Sequence, residues 1–113
     1  MLIIDDHAMF RSAARRLLEG EGFEVVGEAS DGETGLSLAH ELAPQLVLLD
    51  VALPDQSGYE VARRLAGGAS KVVLVSSRSQ DDVDRRFRES GALGFIPKER
   101  LSGAAILGLV DSP

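Results

Sequence analysis

Apolar residues along this chain gather in five short runs, and between the runs apolar positions recur at helical spacing. Leu2-Ile3-Ile4 stops at Asp5-Asp6, and Phe23–Glu28 follows the Gly20/Gly22 break. Leu46 to Leu49 runs straight into Asp50, Lys71–Val75 stops at Ser76-Ser77, and Leu93–Ile96 stops at Pro97-Lys98. Short apolar runs bounded by turn residues predict strands buried on both faces, as in a parallel sheet. The segments between them predict helices. The first spans about His7–Glu19, with Phe10, Ala14, Leu17 and Leu18 on one stripe and Gly20 as its stop. The second runs Gly32–Leu42, with Leu36, Ala39 and Leu42 inward and Pro44 ending it. The third covers about Tyr59–Leu65 before Gly67-Gly68, the fourth about Gln80–Ser90 before Gly91, and the fifth about Leu101–Val110.

Strict alternation of strand and helix implies an α/β fold with a parallel sheet and helices on both faces. Right-handed crossovers favour a flavodoxin-like, doubly wound (βα)5 three-layer sandwich of strand order 2-1-3-4-5. In that order the first and third strands are neighbours at the switch point. Asp5 and Asp6 then face Asp50 across the crevice where such sheets bind ligands, with Ser76 and Lys98 on the strands beyond.

Composition narrows the setting. At 113 residues the chain reads as one domain, 1–113, either standing alone or a fragment of a longer protein. The lack of cysteine removes disulfides and thiolate metal sites, and fits a cytoplasmic location. A net charge of −6 argues against direct nucleic acid contact by this domain, and no apolar run approaches membrane length.

The chemistry lies in the acids. Carboxylates crowded into one crevice repel one another unless a cation intervenes. All-oxygen ligation suits a hard divalent ion, Mg²⁺ above all with Mn²⁺ as a substitute. A carboxylate beside such an ion can attack phosphorus to give an acyl phosphate, while Lys98 supplies a positive charge and Ser76 a hydroxyl to the phosphoryl oxygens. These residues predict phosphoryl transfer onto Asp50.

In the acidic pair Asp5-Asp6, Asp50 within DVALPDQSG, Ser76, and Phe95 and Lys98 within GFIPK, the chain resembles the receiver domain of bacterial two-component response regulators over essentially its full length. The opening DDHAMFR and the lack of proline after Lys98 are most similar to receivers joined to LuxR-type helix-turn-helix output domains. The resemblance implies phosphorylation by a sensor histidine kinase, an output domain or partner protein that controls transcription, and homodimerisation on activation as one route. It implies that Asp5, Asp6, Asp50 and the backbone carbonyl of Ala52 hold the metal, and that Ser76 and Phe95 move together as a switch. The family often has Asn or another polar residue where Ala52 stands. Ala52 keeps the carbonyl but cannot orient an attacking water, so self-dephosphorylation is expected to be slow.

Plainer readings stand beside these. Asp6 can be a helix N-cap, Asp5 a solvated loop acid, Lys98 a surface lysine and Phe95 simple core, and Ser77 competes with Ser76 as the hydroxyl. Asp50 has a poorer alternative, because an acid directly after LVLL is costly to bury without a partner. His7 is expected at the start of the first helix facing solvent, since hard-cation chemistry does not want it, and His40 is expected to be structural or exposed. In the fourth helix Asp81, Asp82 and Asp84 precede Arg85, Arg86 and Arg88 by one helical turn, which predicts a solvated, ion-paired face anchored only by Val83 and Phe87. An Asp-nucleophile phosphatase would want an acid where Ala52 stands. A flavodoxin-like cofactor binder would want a hydroxyl- and glycine-rich loop where Asp5-Asp6 stand. A degenerate receiver acting by contact alone would not need the full acid, hydroxyl and lysine set.

Overall fold

The computed structural model describes residues 1–77 and 84–111. Elements follow in the order β1 (Leu2–Ile4), α1 (Ala8–Gly20), β2 (Gly27–Ala29), α2 (Gly32–Leu42), β3 (Leu46–Asp50), α3 (Gly58–Leu65), β4 (Lys71–Ser76), α4 (Asp84–Ser90), β5 (Gly94–Pro97) and α5 (Gly103–Val110), with a 3₁₀ turn at Lys98–Arg100. The five strands pair in parallel in the order β2-β1-β3-β4-β5, as the alternation predicts.

Because strand side chains alternate between faces, each apolar run feeds two cores. Leu2, Ile4, Val47, Leu49, Val72 and Leu74 pack with Ala39 of α2 and with Tyr59, Val61 and Ala62 of α3, joined by Phe87 of α4. Ile3, Leu48, Val73, Val75 and Ile96 pack with Ala14 and Leu18 of α1 and Ile106 of α5. The central strand needs apolar residues at every position because both of its faces are covered. Each such Leu, Ile or Val contributes roughly 1.5–3 kcal/mol of transfer free energy.

The boundaries differ from the sequence expectation in physically readable ways. The second strand, expected over Phe23–Glu28, is confined to Gly27–Ala29, because its one neighbour is the three-residue β1, paired Leu2 to Gly27 and Ile4 to Ala29. Leu17 is 41% exposed rather than inward. The buried stripe of α1 is centred between Ala14 and Leu18, and Leu17 lies about 100° around the helix from Leu18, off its flank. Leu42, at the last position of α2, is likewise exposed. The fifth helix begins two residues later than expected, where the Ser102 hydroxyl accepts from the Ala105 N–H at 3.0 Å as its N-cap. The fourth strand's last residue is Ser76, and the fifth strand is shifted one residue on, to Gly94–Pro97. Of the fourth helix, the expected start at Gln80, the acids Asp81 and Asp82, and the anchor Val83 lie outside the described residues.

Candidate functional site

Asp5 follows β1 directly and Asp50 closes β3, and the register Ile4 to Leu49 sets them side by side at the carboxyl edge of the sheet. Both are buried, Asp5 fully and Asp50 to within 2%. Lys98, just past β5, reaches over the end of β4. Its Nζ stands 2.7 Å from Asp5 Oδ2 and 3.5 Å from Asp50 Oδ2. The Phe10 ring of α1 lies beneath the ammonium, 4.5 Å from ring centre to Nζ, so the cation rests on a π face while it meets the acids.

The Asp5 carboxylate also organises the start of α1. Its Oδ1 accepts the backbone N–H of His7 at 2.8 Å, and the Arg11 guanidinium donates to the Asp5 main-chain carbonyl at 2.6 Å. Arg11 and Arg15 share Glu28 of β2 at 3.3 and 2.8 Å, which ties α1 to the sheet edge next to the site.

The imidazole of His7 does not simply face solvent as expected. The residue is exposed, but its Nδ1 turns back into the crevice, 3.1 Å from Asp5 Oδ1, 3.2 Å from Asp6 Oδ1 and 3.9 Å from Asp50 Oδ2. Asp6 is not the N-cap of α1, since that position belongs to His7, whose side chain makes no capping bond.

Asp50 carries the electrostatic tension. Burial raises its carboxyl above the ordinary 3.8, and the neighbouring Asp5 charge raises it further; Lys98 and the Ala52 N–H, which donates to Oδ1 at 3.4 Å, pull the other way. Oδ2 of Asp50 is buried and accepts no hydrogen bond among the described residues. Asp5 Oδ2 also accepts none of good angle, yet at 2.7 Å from Lys98 its charge is paired. Asp50 Oδ2 is the less closely paired of the two, with the Lys98 ammonium at 3.5 Å. Because the folded carboxyl titrates above the unfolded one, the folded state holds the extra proton between the two, and stability falls as pH rises through the folded value. Asp50→Asn removes that fall. The variant is expected to be more stable than the parent at pH 7 by about 1–3 kcal/mol, the usual cost of an unsatisfied buried group, with the gap closing as pH drops towards 3.8; urea unfolding at both pH values checks it.

The loop after β3 is built against backbone. The Gly58 N–H donates to the Val51 carbonyl at 2.8 Å, and Ala52 bridges to Ser57. Asp55 accepts from the N–H groups of Gly32 and Glu33 at 2.8 and 2.9 Å, so it serves the start of α2 from another part of the chain and its carboxyl is held below the usual range. Arg86 of α4 donates to the Ser57 hydroxyl at 3.0 Å and lies over the Tyr59 ring at 4.7 Å, so this arginine reaches α3 rather than only solvent.

Of the residues singled out in the sequence, Asp5, Asp6, Asp50 and Lys98 converge. Ser76 is buried at the end of β4, whereas Ser77 is exposed. Phe95 is half-buried on β5, opposite Leu74, and packs on the α2–α3 side of the sheet. Ala52 is exposed beside the acids. The sequence points His7 at solvent and sets Phe10 on the apolar stripe of α1; the DDH spacing carries the signal for His7, and nothing local carries Asp55. At this sheet edge the lysine can offset charge on an anionic substrate, and the carboxylates and histidine can hold a divalent cation, because the donor atoms of Asp5, Asp6, His7 and Asp50 lie within 4.8 Å of one another. Among the described residues no helix is long and apolar enough to cross a membrane.

Comparison with known proteins agrees with this picture. The profile of the response regulator receiver domain family matches residues 1–106. The transcription regulator BvgA of Bordetella pertussis is 44% identical over 100 residues, which cover 87% of this chain and 48% of BvgA. The response regulator GacA of Pseudomonas aeruginosa is 40% identical over 101 residues, covering 87% and 47%. The chain thus spans about half the length of these relatives. Among solved structures, the signal receiver domain of NarL from Mycobacterium tuberculosis superposes with a TM-score of 0.85 at 29% identity, over 97% of this chain and 91% of that one. A LuxR-family DNA-binding response regulator from Staphylococcus aureus gives 0.84 at 25% identity, over 97% and 94%.

Proposed function

Since this chain belongs to the response regulator receiver domains, we propose that it takes a phosphoryl group from a sensor histidine kinase onto Asp50 and passes the signal to an output domain that governs transcription. The observation that carries the reading is Asp50 Oδ2, a buried carboxylate oxygen with no hydrogen bond among the described residues, at the open edge of the sheet with Lys98 3.5 Å away. That oxygen attacks phosphorus, the phosphorus–nitrogen bond of the donor phosphohistidine breaks, and the imidazole leaves with its electron pair and takes up a proton. Lys98 offsets charge on the transferring oxygens and Ser76 donates its hydroxyl to one of them.

The fit to a hard divalent cation rests on the same orphan oxygen and on the convergence of three carboxylates. Asp5, Asp6, Asp50 and the Ala52 carbonyl would hold Mg²⁺, or Mn²⁺ in its place, and the ion would supply Lewis acidity towards the phosphoryl oxygens. Ser76 and Phe95 lie on the neighbouring strands β4 and β5, which supports a shared movement of the two on phosphorylation. In that role the domain is a signalling switch that catalyses at most its own phosphorylation and dephosphorylation.

The test is intact mass after incubation with acetyl phosphate, with and without Mg²⁺, on the parent and Asp50→Asn. One added phosphoryl group that needs both Mg²⁺ and Asp50 is expected. With an alanine where a water-orienting side chain would stand, the adduct should persist, and Ala52→Asn should shorten its life. No adduct under any condition overturns the phosphoacceptor reading in favour of a contact-only receiver. Steady phosphate release without an adduct points to a phosphatase.

A further inference from the structure

The geometry points to His7 Nδ1 as a fourth side-chain donor, a nitrogen, to the cation held by Asp5, Asp6 and Asp50, giving the site a preference for first-row transition ions over Mg²⁺. This rests on the carboxylate cluster being a cation site, and adds to it a ligand that the hard-ion picture leaves out.

The separations carry the argument. Two donors bonded at about 2.1 Å and set at right angles around one ion stand about 3.0 Å apart. His7 Nδ1 stands 3.1 Å from Asp5 Oδ1 and 3.2 Å from Asp6 Oδ1, and 3.9 Å from Asp50 Oδ2. One nitrogen thus faces carboxylate oxygens from three residues. A single N–H directs itself at one acceptor well, whereas a positive charge at that point serves all three, as the Lys98 ammonium 3.3 Å from the nitrogen does in part.

Independent support comes from Asp50, whose side chain is 3% exposed and whose Oδ2, aimed into the same space, accepts no hydrogen bond among the described residues. The imidazole is also held there rather than passing through. Asp5 Oδ1 fixes the His7 backbone N–H at 2.8 Å, so the carboxylate that ligates also sets where the ring emerges. The Lys98 ammonium stands among the same donors, 3.3 Å from His7 Nδ1, 2.7 Å from Asp5 Oδ2 and 3.5 Å from Asp50 Oδ2, so a positive charge is already held at this point and an entering ion takes over contacts that the ammonium makes.

A nitrogen donor changes the selectivity of such a site. Mg²⁺ prefers oxygen and keeps its waters, while imidazole favours the later first-row ions. The decisive comparison is therefore between ions and between variants, without any phosphoryl transfer. Calorimetric titration with Co²⁺ and with Mg²⁺ would be run on the parent, on His7→Phe, which keeps a ring without nitrogen, and on His40→Ala, which removes the other histidine. Loss of His7 should weaken Co²⁺ by about tenfold or more, the scale set by losing a contact to a bound metal, while Mg²⁺ affinity stays level or rises. Pulsed electron paramagnetic resonance of bound Mn²⁺ should show nitrogen coupling in the parent and in His40→Ala, and none in His7→Phe.

Equal Co²⁺ affinity in the parent and His7→Phe with no nitrogen coupling overturns the inference while Mg²⁺ binding upholds the carboxylate site. A nitrogen signal lost in His40→Ala but kept in His7→Phe also overturns it. Failure of every ion to bind the parent removes the carboxylate site itself, and the inference with it.

Discussion

Gly58→Ala is expected to cost at least about 3 kcal/mol of unfolding free energy, at or above the upper end of ordinary overpacking. A Cβ built at Gly58 falls 2.1 Å from the Asp50 carbonyl oxygen, 2.6 Å from Val51 Cα and 2.8 Å from the Asp50 carbonyl carbon. All three atoms are backbone, so no rotamer change can clear them. Nor can the loop drift away cheaply, because the Gly58 N–H is bonded to the Val51 carbonyl at 2.8 Å and Gly58 opens α3 under the Ser57 cap. The backbone that must give is that of Asp50, so the variant should also lose phosphoryl acceptance in whatever fraction stays folded. Against a total stability of about 5–15 kcal/mol for a domain of this kind, the shift in urea midpoint should be large. Gly108→Ala is the matching control. No atom lies within 4 Å of its Cβ position, and an alanine inside the exposed face of α5 should add about 0.5–1 kcal/mol. A parent-like midpoint for Gly58→Ala would show that the close approach of α3 to β3 is not what shapes this loop.

Strand order and the main acids were legible because both follow from short-range regularities. Apolar runs broken by Asp5, Asp50 and Ser76 mark strand ends, and alternation with helices fixes parallel pairing, so the carboxyl edge assembles from sequence alone. What was not legible depends on partners chosen in space. The second strand is short because its neighbour β1 is short, which the apolar run at Phe23 to Val26 cannot express. Asp55 reads as an exposed loop acid, and only the fold brings the start of α2 to it. A nitrogen donor looks wrong for a hard ion, so residue type alone leaves His7 out of the site. Its ring direction follows from the Asp5 carboxylate catching its backbone N–H, a contact over two residues that residue type alone does not reveal. Phe10 sits on the apolar stripe of α1, as its spacing predicts, but it ends beneath the Lys98 ammonium because β5 delivers that lysine over β4.

Lys98→Met should be the second large loss, and it isolates the electrostatics from the packing. The methionine keeps most of the volume and the apolar contact with Phe10, but removes the ammonium that stands 2.7 Å from Asp5 Oδ2 and 3.5 Å from Asp50 Oδ2. Breaking a buried pair by deleting one partner typically costs about 3–5 kcal/mol, because the remaining charge is stranded. A value near about 3 kcal/mol is expected here, since the Asp6 and His7 side of the crevice is open to water. The loss should depend on pH in a fixed direction. Lys98 lowers the Asp50 carboxyl, against burial and Asp5, which raise it; without Lys98 the folded-state titration moves further above 3.8. The folded variant therefore keeps its proton to higher pH than the folded parent does, and its deficit grows as pH rises through that titration and shrinks as pH falls below it. A divalent cation should replace part of what the ammonium did. At a hundred times its dissociation constant, an ion that binds only the folded state adds about 2.7 kcal/mol. Urea unfolding of the parent and Lys98→Met at two pH values, with and without Mg²⁺, reads all of this at once. A deficit that ignores both pH and Mg²⁺ would mean that Lys98 acts through packing on Phe10, and that the acids at this sheet edge do not need a cation to stay buried.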